Sequence, residues 1–344
     1  MNGDLMWQDD PLFHDGLDDS WNIEAFSTPA FRLCGIAPVR QAHPFDHMDA
    51  YRELFDIFRP TIEQRAERLL MIEKPGARER RRKTIKPEDF QPFDHMKSVI
   101  PNDDGFFIGF QFQSGSVDLG TGDASENIFD RGPTKFHFWV GGVIQLDISV
   151  SVEDWKAGVL DVERLKAVLL RLPLGSAMGG YGLSLSEDFG NQSGDRLLPI
   201  AHRFPALDLS KIRYRAWSAN REHDLGTYWI AGINWLTFVG EPFLAALGGA
   251  DAITRGLPAG IILQQSECGV LFQLGDRPIT GEKGQDDDLL PLYHALGERL
   301  KPKDNGHPSA KHPRVEIFGP ELAKESLLWE RRFYDGDWFK GSAA

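Results

Sequence analysis

"KFHFWVGGVIQLDISVSV", residues 135–152, is the segment on which the fold class turns. Its stretch Val143-Ile144-Gln145-Leu146-Asp147-Ile148 mixes alternation with a polar interruption, the pattern of a strand in a sheet with one covered face. Gly141-Gly142 marks a bulge or a turn. Upstream, "GFFIGFQFQSG" at 105–115 gathers aromatic and aliphatic residues before Gly and Ser punctuation, which predicts another strand. Downstream, Ser151 is placed to cap a helix with the apolar stripe Trp155, Val159, Val162, Leu165, Val168, Leu169 and Leu172, ended by Pro173.

"GSAMGGYGLSLSEDFGNQSGD" follows, glycine-rich and then strand-like through Tyr181, Leu183 and Leu185. These glycines leave a helix and enter a strand, the reverse of a dinucleotide-binding loop. "HRFPALDLSKIRYRAW" reads as a helix end and turn, and "GTYWIAGINWLTFVG" as strand for much of its length. "EPFLAALGG" is a short helix with Pro242 in its first turn and Gly248 or Gly249 at its stop. "AGIILQQSECGVLFQLG", 259–275, gives two strands around a Ser-Glu-Cys-Gly turn. The acidic loop "DRPITGEKGQDDD" leads to a helix in "LLPLYHALGERLKP", a strand in "RVEIFG" and a terminal helix in "PELAKESLLWERRFYDGD". Antiparallel neighbours joined by short turns, with helices between them, predict an α+β fold: a largely antiparallel sheet with helices packed on one face.

Toward the start, residues 1–28 form an acidic extension with scattered aromatics and no sustained period. Residues 29–104 read as a helical region. Tyr51, Leu54, Phe55, Phe58, Ile62, Ala66, Leu69 and Leu70 recur at helical spacing, with Pro60 as a kink or restart. The basic run "ARERRRKTIKPED" is then an exposed linker, and residues 105–344 are the α+β domain.

The 344 residues carry a net charge of −13, which opposes binding to nucleic acid or to anionic membranes and favours a basic partner. No apolar stretch is long enough to span a bilayer, and the acidic start is unlike a signal peptide, so a cytoplasmic location is expected. Cys34 and Cys268 lack zinc-site spacing and are too few for a disulfide framework, so both read as buried thiols. A distant histidine could make Cys268 a nucleophile, but its strand-turn setting offers nothing to lower its pKa. Serine hydrolase elbows are absent apart from near misses such as "QSECG".

One short repeat has chemical content. "PFDHM" occurs at 44–48 and 92–96, so Asp46, His47, Asp94 and His95 supply ligand types suited to zinc or iron and define an alternative reading, a metal-dependent hydrolase. Against it, adjacent Asp and His side chains diverge in most regular conformations. No catalysis and no cofactor is the main reading.

Several segments together resemble the type VI immunity family. They are Arg203-Phe204-Pro205, Gly232, Asn234-Trp235-Leu236-Thr237, Gly240, Leu247-Gly248-Gly249, Gly275, Pro278, Gly281, Pro291-Leu292-Tyr293 and Leu300-Lys301-Pro302. The resemblance is strongest over residues 180–302 and extends from about 106 to 334. It implies a bacterial protein that protects its cell by binding a cognate toxin delivered by type VI secretion and encoded nearby, in some cases one with a VRR-type nuclease domain. Asn234, Trp235, Leu236, Gly240, Gly248 and Gly249 are then expected to be scaffold. If the toxin has a basic cleft, carboxylate loops would imitate its substrate and block entry. Glu282, Asp286, Asp287 and Asp288 are the first candidates for toxin contact, with Asp335 and Asp337 as a second cluster.

Overall fold

The computed structural model describes residues 7–8, 27–38, 44–72, 80–82, 84–96, 108–118, 128–130, 132–141, 143–185, 194–209, 232–241, 243–301, 317–318, 320–335 and 338–339. The first half supplies β1 (Ser27–Pro38), α1 (Met48–Arg65), β2 (Arg68–Ile72), β3 (Arg80–Arg82), a single turn α2 (Pro92–His95) and β4 (Ile108–Gln113). The small pair β5 (Ser116–Asp118) and β6 (Ile128–Asp130) precedes β7 (Lys135–Val140), β8 (Val143–Ser151), α3 (Val152–Lys156) and α4 (Val162–Leu169). The rest comprises β9 (Ser176–Leu185), α5 (Gly194–Arg203), β10 (Leu236–Gly240), α6 (Phe243–Leu247) and α7 (Ala250–Thr254). It ends with β11 (Ile261–Gln265), β12 (Gly269–Leu274), α8 (Leu290–Leu300) and α9 (Ala323–Glu330).

Among the described residues, ten strands form one antiparallel sheet in the order β11-β12-β10-β9-β1-β8-β7-β4-β2-β3. β1 lies inside it, with Leu33 opposite Ile148 on one side and Gly179 on the other. β1 and β2, from the stretch expected to be helical, share this sheet with β4 and β9. Trp7 is buried against Tyr181 and Phe204, so the acidic extension has at least one anchor on the core.

Period-two alternation decides which side chains meet. Phe31, Leu33, Phe110, Phe112, Phe136, Phe138, Leu146 and Ile148 share one face, where Tyr51, Leu54, Phe55, Phe58 and Ile62 of α1 and Leu165 and Val168 of α4 cover them. Phe55 meets Phe136 and Phe110 edge-on, with centroids 5.0 and 6.0 Å apart, the preferred arrangement for aromatic pairs. At the β11 end, Val239, Val270, Phe272 and Leu274 point to the opposite face and meet Phe243, Tyr293 and Leu296 from α6 and α8. The α+β class and the antiparallel sheet match the sequence reading, but the helices divide between the two faces.

Local corrections have physical causes. α1 is a single helix containing Pro60 and stops at Arg65, because Leu69 and Met71 are drawn into a strand beside β4. Part of the supposed basic linker, Arg80-Arg81-Arg82, pairs with β2 as an edge strand. The single helix expected after Ser151 is two. Ser151 Oγ accepts from the Asp154 amide, Asp161 Oδ1 from the Arg164 amide, and Val159 between them is exposed. β9 begins at Ser176 and takes in the glycines. A Cβ on Gly180 would lie 2.0 Å from Asn234 Oδ1, and one on Gly182 2.7 Å from the Asp208 carbonyl.

Candidate functional site

The loop between Gly275 and Leu289 joins the last strand of the sheet to α8 and is built around Asp286. That residue is 7% exposed. Its Oδ2 accepts from the Thr280 amide at 3.0 Å, the Thr280 hydroxyl at 2.9 Å and the Gly281 amide at 2.8 Å, while Arg277 donates to Oδ1 at 3.1 Å. A buried carboxylate with this set of donors folds the loop back on itself. Leu289 and Leu290 amides donate to the Asp286 carbonyl, so the same residue also starts the turn into α8.

Two neighbours fasten the loop from below. Thr280 O accepts from the Ala206 amide at 2.8 Å. Gly281, at φ +80°, leaves so little room that a Cβ would sit 2.9 Å from the Ala206 nitrogen. Arg203 then reaches Glu282 at 3.1 Å, and Glu282 also accepts from Gln285. On the far side of Pro205, Arg332 donates to its carbonyl and lies 3.6 Å over the Trp329 ring. The Arg203-Phe204-Pro205 segment is thereby held between the acidic loop and the turn that follows α9.

Asn234 fixes the other end. Its Nδ2 donates to the Tyr181 carbonyl at 3.1 Å and its Oδ1 accepts from the Trp235 amide at 2.8 Å, while Thr237 Oγ1 donates to its carbonyl. Trp235 Nε1 donates to Gly275 O, where the loop begins. Leu236 is buried, Gly240 ends β10, and Gly248 and Gly249 separate α6 from α7. Gly180→Ala is expected to cost about 1–3 kcal/mol in chemical denaturation, because the added methyl displaces Asn234.

The expected contact residues therefore divide. Asp287 and Asp288 are exposed, Glu282 is half-buried and ion-paired, and Asp286 faces inward. Arg277 Nη2 lies 3.8 Å from Asp288, while Asp287 accepts from the Gly284 amide. Asp335 is exposed after α9; Asp337 lies outside the described residues, as does most of "RVEIFG".

Among the metal candidates, Asp46 is exposed, His47 is half-buried, and Asp94 is bound by Arg52 at 3.0 Å. His95 closes α2. Among the described residues, no group of three or more His, Cys, Asp or Glu residues could hold a metal ion. Cys34 is buried and Cys268 is partly so, where burial pushes its thiol pKa up, away from nucleophilic use.

Sequence reading missed a second polar assembly, on the sheet face opposite the phenylalanines. Arg32 pairs with Asp147 at 2.8 Å and Asp208 at 3.1 Å, and Lys135 pairs with Asp147 at 3.2 Å. All four side chains are buried, with the Cys34 thiol 3.5 Å from both carboxylates. Burial alone pushes the Asp147 carboxyl up, but the Arg32 and Lys135 charges outweigh it and hold it well below the usual carboxylate range. The available signal was the charge at Lys135 and Asp147 inside strand candidates; Asp208 is contributed from far along the chain.

Comparison with known proteins fits this architecture. The Pseudomonas aeruginosa T6SS protein PA0821 has a similar structure, with TM-score 0.63 and 18% identity over 92% of this chain and 87% of that one. No curated protein matches the sequence. The fold is thus one found in a type VI secretion protein. Residues 162–333, half of the chain, match the family TsiV, described as type VI immunity for VRR-NUC, and the chain belongs to that family. The matched span contains the acidic loop with Asn234, Arg203 and Arg332, which hold it. Among the described residues no helix is long and apolar enough to cross a membrane.

Proposed function

We propose that this protein neutralises a cognate VRR-NUC effector by binding it one to one and occluding its catalytic cleft, without catalysis of its own. The toxin is encoded nearby and met in the cytoplasm. Family membership supports the partner class. The observation that carries the mechanism is the loop itself: Asp286 is spent inside, so that Asp287 and Asp288 are displayed on a fixed backbone. Preorganised carboxylates suit a nuclease cleft shaped for phosphates, and the net charge of −13 would steer encounter. Asp335 and Asp337, two residues apart in sequence, are the second candidates for contact.

Co-expression with the neighbouring effector should restore growth. Combined Asp287→Lys and Asp288→Lys should slow association with the purified effector by about 10-fold or more and flatten its salt dependence, with an unchanged unfolding midpoint. An unchanged association rate and salt dependence would remove the loop from the interface. Stoichiometric zinc lost on His47→Ala or His95→Ala would favour the hydrolase reading instead.

A further inference from the structure

The two ends of the sheet are chemically unlike. At one, β3 is Arg80-Arg81-Arg82; at the other, β11 is Ile261-Ile262-Leu263-Gln264-Gln265, without a charge or a proline. Edge strands normally carry such blocking residues, because their outward N–H and C=O groups are a template for another strand. β11 also exposes apolar side chains on both of its faces: Ile262 is 49% and Leu263 42% exposed.

Its register identifies the outward groups. Gly275 N donates to Gly260 O and Ser266 N to Gly269 O, so the even-numbered residues from 260 to 266 bond inward to β12. Ile261, Leu263 and Gln265 therefore direct their backbone groups outward, and the Ile261 N–H is taken by Pro258 O.

We infer that β11 is a self-association edge, pairing antiparallel with β11 of a second copy about a two-fold axis at Leu263, so that two sheets become one. In this register the Leu263 residues exchange both backbone bonds, and each Gln265 N–H meets the Ile261 carbonyl across the axis. The prior use of the Ile261 N–H is then accommodated. The two Leu263 side chains cover each other on one face, and Ile262 lies opposite Gln264 of the second copy on the other. Charge selects this occupant. Two chains of net charge −13 repel, so their contact belongs where charge is absent, and residues 260–266 hold none. A basic toxin would be drawn elsewhere. The inference does not depend on the function proposed above.

Sedimentation equilibrium of the full chain should give a mass of twice 38.7 kDa, with the dimer strengthened as added salt screens the repulsion between the two chains. Leu263→Lys should weaken self-association by roughly 100-fold or more while circular dichroism and the unfolding midpoint stay as in the unmodified chain. With Cys268→Ser as background, Leu263→Cys should form an intermolecular disulfide on mild oxidation, because facing residues in such a pair have Cα atoms about 5.5 Å apart. A chain that stays monomeric at about 100 µM, or a dimer unaffected by Leu263→Lys, would overturn the inference. A monomer whose edge amides become protected only with the effector would assign β11 to a toxin strand instead.

Discussion

Arg32→Ala is expected to lower the unfolding free energy by about 3–5 kcal/mol, because it takes a guanidinium away from two buried carboxylates at once. Asp208 loses its 3.1 Å guanidinium partner, and Asp147 is left with Lys135 and the Cys34 thiol. Arg32 also ties the segment at 207–209 to the centre of the sheet, where Leu183 N donates to the Asp208 carbonyl. Denaturant titration at neutral pH measures the loss, and a loss below about 1 kcal/mol would mean that the assembly is replaceable by water.

The same group has a pH signature. The folded pKa of Asp147 lies below its unfolded value near 4, so its contribution is fully present above that value and is lost as pH falls toward the folded pKa. Asp147→Asn removes this titration. Its stability deficit relative to the unmodified chain should therefore be largest above about pH 5 and narrow on acidification, at up to about 1.4 kcal/mol per pH unit. A deficit independent of pH would show that the carboxylate is not held ionised.

These effects bear on what the sequence could reveal. The β7–β8 and β11–β12 hairpins were legible because alternation and a short Gly- or Ser-bearing turn are local signals. The face opposite the phenylalanines was not, since a polar residue in an alternating strand normally marks solvent. Here Lys135 and Asp147 are enclosed by partners that include Asp208, distant in sequence. The glycines of β9 misled for a related reason: the space they leave is filled by Asn234 and Asp208, which local propensity cannot anticipate. Leu69 and Leu70 kept the helical spacing of α1 yet belong to β2, a case of sheet pairing overriding a periodic pattern. In the acidic loop, composition identified the carboxylates but could not tell a residue that folds the loop from those displayed by it.

That distinction gives the second large effect. Asp286→Ala should cost about 2–4 kcal/mol, since the amides of Thr280 and Gly281 are left without their acceptor in a buried position and Arg277 loses its 3.1 Å bond to the carboxylate. Asp286→Asn should cost less. Its side-chain oxygen can still accept from Thr280 and Gly281, but its amide nitrogen cannot accept from Arg277. Hydrogen exchange provides the local readout: the Thr280 and Gly281 amides should lose protection in the alanine variant and retain most of it in the asparagine variant. The two kinds of loop variant then separate scaffold from contact. Asp287→Lys with Asp288→Lys should change encounter with the effector at constant stability, whereas Asp286→Ala should change stability and, by loosening the loop, raise the dissociation rate. If Asp286→Ala left stability and exchange untouched while weakening binding as a charge reversal does, Asp286 would have to be reassigned from the loop's frame to its contact surface.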